Sequence, residues 1–242
     1  MARIGIIGSE GRMGHALMRA IAAAGHENAG GVDKGGDVAE LADDSDALVD
    51  FSAPPALEGN LHAAIGAGIP ILVGTTGLEE RHHAAIDSAA LAIPVLQTGN
   101  TSLGVTLLAH LVREASARLG PEWDVEVVEM HHRMKVDAPS GTALLLGQAA
   151  ADGRGIDLSA MSERGRDGHT GARAEGTIGF ASLRGGTVAG EHSVILAGPQ
   201  ERLTLSHSAE DRMIFAHGAV RGAAWLIGGV PGRYTMGQVL GL

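Results

Sequence analysis

The sequence predicts an α/β protein, with an N-terminal Rossmann-type parallel sheet and a second α+β domain built on a mixed sheet. Three observations carry this. The chain opens on a short apolar run, Arg3 to Ile7, then meets glycines at 8, 11 and 14 and a helical run from His15 to Ala24. Strand, glycine turn and helix in that order form the phosphate-binding start of a dinucleotide fold. Short apolar runs then alternate with helical patterns up to residue 102, as parallel strands with crossover helices require. From Gly176 onward the apolar period switches to two, which suits antiparallel strands.

Composition bounds the rest. A chain of 242 residues can make one large domain or two small ones. The predicted division is a dinucleotide-binding domain over 1–102, completed by 212–242, and a substrate-binding and oligomerisation domain over 103–211. Aromatic residues are only 2% of the chain, so the core has to be aliphatic. A formal charge of −10 argues against nucleic acid or an anionic membrane as partner. The absence of cysteine removes disulfides and any thiol nucleophile, and with them the cysteine-dependent semialdehyde dehydrogenases. It also suits a reducing compartment. The segment Met1 to Gly8 is too short and glycine-broken for a signal sequence, and no apolar run reaches membrane-spanning length. A cytoplasmic location is expected.

The opening glycines are spaced Gly8-x-x-Gly11-x-x-Gly14, and Arg12 between them can face a pyrophosphate. A second strand, Ala29 to Val32, ends at Asp33-Lys34. Asp33 lies 19 residues past Gly14 (33 − 14), where an acidic residue would accept from ribose hydroxyls. Lys34 beside it can pair with a 2′-phosphate, so both NADH and NADPH are expected to be used. Further strands are predicted over Asp46–Phe51, Ile69–Val73 and Ile93–Leu96, with helices over Ala56–Gly66 and Glu79–Ala92. In parallel sheets ligands gather at carboxyl strand ends. Here those ends carry Gly74, Thr75 and Thr76, and then Thr98, Gly99, Asn100 and Thr101, which can approach a nicotinamide and its ribose. His82 and His83 are expected on the surface.

Leu103 to Leu119 reads as a long helix leading into the second region. Val125 to Met130 alternates as a strand, and a charged loop then leads to a helix from Thr142 to about Asp152. Residues 153–175 read as a mobile surface loop, whose arginines either cover a substrate or are solvated. Gly176–Leu183, Thr187–Leu196 and Arg202–His207 read as consecutive antiparallel strands that join Val125–Met130 in a mixed sheet. One face of that sheet would need a partner chain. Arg212 to Ile227 reads as a helix, and the tail is expected to pack back on the first domain.

The charged loop is the centre of the reading. His131, His132 and Lys135 stand within five residues, followed by Pro139, Ser140, Gly141 and Thr142 at a helix start. A helix start offers backbone N–H groups to a carboxylate, and Gly141 lets a ligand approach the backbone. Lys135 is a movable cation, and histidines exchange protons near neutral pH. Read singly, Ser140 is a helix N-cap and the paired histidines are polar surface. No metal site is expected, because the spacing lacks a ligand pattern and cysteine is absent.

The run Glu129-x-His131-His132-x-x-Lys135-x-Asp137-x-Pro139-Ser140-Gly141-Thr142-Ala143 resembles the signature of the dihydrodipicolinate reductases of the lysine and diaminopimelate pathway. The likeness extends through Gly8-Ser9-Glu10-Gly11-Arg12-Met13-Gly14, Gly74-Thr75-Thr76-Gly77, Arg184-Gly185-Gly186 and Gly190-Glu191-His192. It implies NADH- or NADPH-dependent reduction of a small cyclic dicarboxylate by a homotetramer, with no nucleic-acid or membrane partner. By position it makes His131 the proton donor and Lys135 the second catalytic residue. His132 with Ser140, Gly141 and Thr142 would hold the substrate carboxylates. Gly8 to Gly14, Asp33, Lys34, Gly74 to Thr76 and Thr98 to Thr101 would hold the cofactor. Two rivals are another Rossmann-type oxidoreductase acting on a small anion, and a dinucleotide-sensing regulator.

Overall fold

The structure is a computed structural model describing residues Met1 to Leu242. The chain divides into two compact units, Met1–Leu103 with Arg212–Leu242, and Gly104–Asp211.

The first unit begins β1 (Arg3–Ile7), α1 (Arg12–Ala23), β2 (Glu27–Val32), α2 (Val38–Asp43), β3 (Ala47–Asp50), α3 (Leu57–Ala67), β4 (Ile71–Val73), α4 (Glu80–Ala89) and β5 (Pro94–Gln97). The strands run parallel in a six-stranded sheet, and its outermost member comes from the C-terminal segment, Gly232–Tyr234. The chain steps from β1 out to β2, then back to β3 on the other side of β1. That reversal is the switch point at which doubly wound sheets bind ligands. Both sheet faces are covered, so strands such as Ala47-Leu48-Val49 are wholly buried and apolar. Leu17 and Ile21 pack with Ala216, Ala219, Val220 and Leu226 in one core cluster, while Leu57, Leu61 and Ile86 pack in the other. The core is aliphatic, as the scarcity of aromatics requires.

Several elements differ from the sequence expectation. α1 starts three residues earlier than predicted, which puts Arg12, Met13 and Gly14 in its first turn. α2 was not expected; Asp37 caps it by accepting from Ala39 N and Glu40 N. His82 is buried, not exposed: its Nδ1 accepts from Glu79 N at 2.8 Å and closes a capping box at the start of α4.

The second unit runs α5 (Leu103–Leu119, starting at the boundary), β6 (Asp124–His131), α6 (Gly141–Arg154), α7 (Leu158–Met161), β7 (Ser162–Glu163), β8 (Ile178–Arg184), β9 (Gly190–Gly198) and β10 (Glu201–Ala209). Its mixed sheet has the order β10-β9-β6-β8-β7. β9 and β10 form the predicted antiparallel pair. β8 and β9, however, are not neighbours: β6 lies between them, parallel to β8 and antiparallel to β9. The connection Gly185–Ala189 makes this possible by crossing the end of β6. Gly185 N donates to His131 O, His132 N to Val188 O and Arg133 N to Gly186 O.

Burial along β6 alternates, with Val125, Val127, Glu129 and His131 inward. The inward apolar residues pack with Val112, Leu146, Ile178 and Leu196. The segment expected as a mobile loop contains α7 and β7, and its Arg164 is exposed, as the solvated reading expects. Arg166 and Arg173 fold back onto Glu126, and Arg173 also onto Asp124. No helix is long and apolar enough to cross a membrane. The chain ends with α8 (Met213–Leu226), β11 (Gly232–Tyr234) and α9 (Met236–Leu240), all in the first unit. β11 was not foreseen as a strand; it pairs with β5 and completes the first sheet.

Candidate active site

In the first unit, a cavity of about 680 Å³ opens at the switch point. Ile7, Gly8 and Gly11 line it from the β1 side, Phe51, Ser52 and Asn60 from the β3 side, and Asp33 with Lys34 close it from β2. Gly8 sits at φ +88°, where a side chain is strained. A Cβ on Gly14 would stand 2.1 Å from Ser9 O, so the first turn of α1 can lie this close to the loop only as glycine. Gly11 caps α1 with no side-chain hydrogen bond. The first-turn amides therefore have no side-chain cap competing with an anion. Glycine cradle, uncapped helix start and cavity size fit a dinucleotide.

The predicted cofactor residues divide by what their side chains already do. Asp33 Oδ2 accepts from Ser9 Oγ at 2.9 Å and Glu10 N at 2.7 Å, so it braces the glycine loop. Lys34 is exposed on the cavity wall. The Thr75 hydroxyl turns inward and donates to Asp50. Thr98 Oγ1 bonds Asn100 O, and Thr101 Oγ1 donates to Phe215 O on α8 at 2.6 Å. These three threonine side chains shape their loops, which leaves the backbone as the surface offered to a ligand.

In the second unit, the strand period of two puts Glu129 and His131 side by side on the inner face. Glu129 is 1% exposed, and its Oε2 meets His131 Nδ1 at 2.5 Å. Arg184, at the end of β8, grips both carboxylate oxygens at 2.8 and 2.9 Å. Ser140 N adds a bond at 3.2 Å. Burial by itself would raise the Glu129 carboxyl. The guanidinium and the imidazole outweigh it and hold the pKa at about 2, below the ordinary 4.5. Glu129 is therefore an acceptor only, so His131 Nδ1 carries the proton of their bond and Nε2 is left for proton exchange.

Arg184 extends the network by donating to Asp137 O at 2.6 Å. Asp137 pairs with Lys135 Nζ at 2.8 Å, and that ammonium lowers the Asp137 carboxyl. Lys135 and His131 are thus linked through Asp137, Arg184 and Glu129, one of the links being the Asp137 backbone carbonyl. His132 stands apart from it, with Arg133, Met134, Gly186 and Thr187, around a cavity of about 580 Å³.

Ser140 is the N-cap of α6, accepting from Ala143 N at 3.1 Å, and it also meets His192 Nε2 at 3.0 Å. With its N–H on Glu129, Ser140 has both polar groups engaged inside the protein. Gly141 follows at the helix start, and a Cβ there would meet nothing within 4 Å. His192 is buried edge-on against His131, with ring centroids 5.1 Å apart. Burial, reinforced by the positive field of His131, lowers its pKa to about 4.

Sequence reasoning assigned no role to Glu129, Arg184 or His192, although each lies in a motif that it singled out. The available signal was an acidic residue two positions before a histidine on an alternating strand.

Profiles described as "Dihydrodipicolinate reductase, N-terminus" and "Dihydrodipicolinate reductase, C-terminus" match residues 2–101 and 104–240. The 4-hydroxy-tetrahydrodipicolinate reductase of Rhodopseudomonas palustris (strain HaA2) is 50% identical over 264 positions, covering 99% of this chain and 97% of that protein. The enzyme of the same name from Zymomonas mobilis is 51% identical over 247 positions, with the same coverage. Among solved structures, a dipicolinate-bound dihydrodipicolinate reductase from Paenisporosarcina sp. TG-14 superposes with a TM-score of 0.75 over 97% of each chain. Its sequence identity is 20%, so that likeness shows the fold. A diaminopimelate dehydrogenase of C. glutamicum shares the fold more distantly, at a TM-score of 0.57 over 97% of this chain and 92% of that one. Half the residues being shared along the full length, the chain belongs to the dihydrodipicolinate reductase family.

Proposed function

We propose that the chain reduces 4-hydroxy-tetrahydrodipicolinate to tetrahydrodipicolinate in lysine and diaminopimelate biosynthesis, using NADH or NADPH. Overall, the hydroxy substrate, the reduced dinucleotide and one proton give tetrahydrodipicolinate, oxidised dinucleotide and water. The observation that carries the site assignment is the Glu129–His131 pair beside the α6 start, braced by Arg184.

When bound, the reduced nicotinamide supplies a hydride to the ring. The protein's share is binding, charge and a proton. The α6 start at Gly141 and Thr142 holds a carboxylate, and His132 meets the substrate from the cavity that it lines with Gly186 and Thr187. Lys135 favours the negative charge that develops on the ring. His131 delivers a proton from Nε2, its ring orientation fixed by Glu129 through Nδ1. A positioned general acid contributes on the order of 10²–10⁴-fold.

In the first unit, Gly8 to Gly14 carry the pyrophosphate and Asp33 with Lys34 the adenosine ribose. The Asp33 bonds to Ser9 and Glu10 all fall on Oδ2, and Lys34 is a cation for a 2′-phosphate, which supports use of both dinucleotides. A reductase drawing on the dinucleotide pool works in the cytoplasm. The outer face of the second sheet presents Val128, Met130 and Ile195 half-buried and Leu183 at 49% exposure, which supports a homotetramer assembled through that face.

The direct test is loss of dinucleotide absorbance with freshly generated substrate, run with NADH and NADPH in parallel. Binding of dinucleotide without any oxidation would favour the regulator reading and end this one.

A further inference from the structure

Asp50 closes β3 with its side chain fully buried. Its oxygens accept four hydrogen bonds. Oδ1 receives Ser52 N at 2.8 Å, Ser52 Oγ at 2.6 Å and Thr75 Oγ1 at 3.1 Å. Oδ2 receives Asn60 Nδ2 at 3.0 Å. The same amide also reaches Ser52 Oγ at 3.3 Å, and Asn60 is itself buried. The donors come from three elements: the turn after β3, the loop after β4, and α3. The backbone adds a fifth bond, Gly74 N to Asp50 O at 2.8 Å.

Every one of these donors is uncharged. A buried carboxyl group is expensive, and the three residues before it on β3 are apolar and wholly buried. Core packing alone does not call for an aspartate here. What it does is tie the loop after β3, which lines the cavity at the switch point, to the loop after β4. Ser52 and Asn60 line that cavity. Thr75 belongs to the Gly74–Thr76 segment, one of the proposed cofactor contacts. A Cβ on Gly74 would stand 2.4 Å from the Phe51 ring, and Phe51 lines the cavity too. The two loops therefore interlock by side chain and by backbone.

We propose that Asp50 is a positioning residue for dinucleotide binding. Its carboxyl group holds the loops after β3 and β4 in the spacing that the cofactor needs, before the cofactor arrives. Preorganisation of this kind lowers the ordering cost of binding. The proposal rests on the cofactor reading given above and deepens it.

The test compares wild type, Asp50→Asn, Thr75→Val and Ser52→Ala by calorimetric titration with NADH and NADPH, by steady-state kinetics and by thermal melting. Asp50→Asn keeps the shape but faces donors with an amide. It should raise the dissociation constant and KM for the dinucleotide about tenfold, with KM for the dicarboxylate nearly unchanged. Thr75→Val removes one hydrogen bond from a neutral donor and should cost about fivefold in the same constants. A role in stability alone would lower the melting temperature and leave dinucleotide affinity intact well below it.

A folded Asp50→Asn protein with dinucleotide affinity within about twofold of wild type would overturn the proposal. If Asp50→Asn does not fold, the other two variants decide: unchanged affinity in both overturns it, a several-fold loss supports it. Wild type that binds neither dinucleotide would overturn the cofactor reading itself, which separates that failure from this one.

Discussion

Each unit buries one carboxyl group near the carboxyl end of a strand, and the two are held in opposite ways. Asp50 on β3 is surrounded by neutral donors: a backbone amide, two hydroxyls and a carboxamide. Glu129 on β6 is gripped by a guanidinium and an imidazole. Neutral donors fix where loops sit, and charged partners also fix which protons are present. The first arrangement suits a unit that has to bind. The second suits a unit that has to move a proton. On the reading proposed above, the difference separates dinucleotide binding from proton transfer, and several variants can break or sharpen it.

The largest effect is expected at His131, the proposed proton donor. His131→Gln should lower kcat by about 10²–10³-fold while dinucleotide affinity in the other unit is kept. Stopped-flow single turnovers would show it, and normal turnover would remove His131 from its role. Glu129→Gln comes next. It should reduce kcat about tenfold or more through loss of ring orientation, and it should destabilise the fold by about 3 kcal/mol, because Arg184 loses its carboxylate. A denaturant melt separates the two consequences, and unchanged turnover would leave Glu129 a purely structural residue.

Acid should strike the second unit first. The Glu129 pKa is held at about 2, so its stabilising contribution is present above 4.5 and is lost as pH falls from there toward 2. His192 is lowered from 6.5 to about 4, so the unfolded chain takes up a proton that the folded one refuses, and stability falls between pH 6.5 and 4. The His192 part is on the order of 3 kcal/mol. His192→Phe should flatten the melting temperature across that window, and an unaltered slope would assign it to other groups. The smallest effect is Lys34→Ala, which should weaken NADPH severalfold more than NADH. Equal losses would show that Lys34 does not meet a 2′-phosphate.

The two regions were also unequally legible. The parallel sheet could be read almost strand by strand, because its signals are local: an apolar run, a glycine turn, a helix. The bounds of α5 were read to the residue for the same reason. α2 was missed because it is only six residues long, although Asp37 caps it. The insertion of β6 between β8 and β9 could not be read, since it depends on how the Gly185–Ala189 connection crosses a strand some fifty residues earlier in the chain. The charged loop was legible as a motif, but its braces were not. Arg184 meets Glu129 across 55 positions and His192 meets Ser140 across 52, and no spacing rule reaches that far. His82 was misplaced because a histidine next to another histidine looks polar until its capping bond is seen.

The chain leaves the first unit at Leu103 and returns to it at Arg212. On a ribosome, the second unit has all its strands in hand while the first still lacks α8 and β11. Until those emerge, Leu17 and Ile21 have no Ala216, Val220 or Leu226 to meet, and the face of β3, β4 and β5 that α8 covers stays bare. Nascent chains halted near residue 211 should thus hold a finished second half beside a sticky, chaperone-seeking first half, a vulnerability confined to the last moments of synthesis.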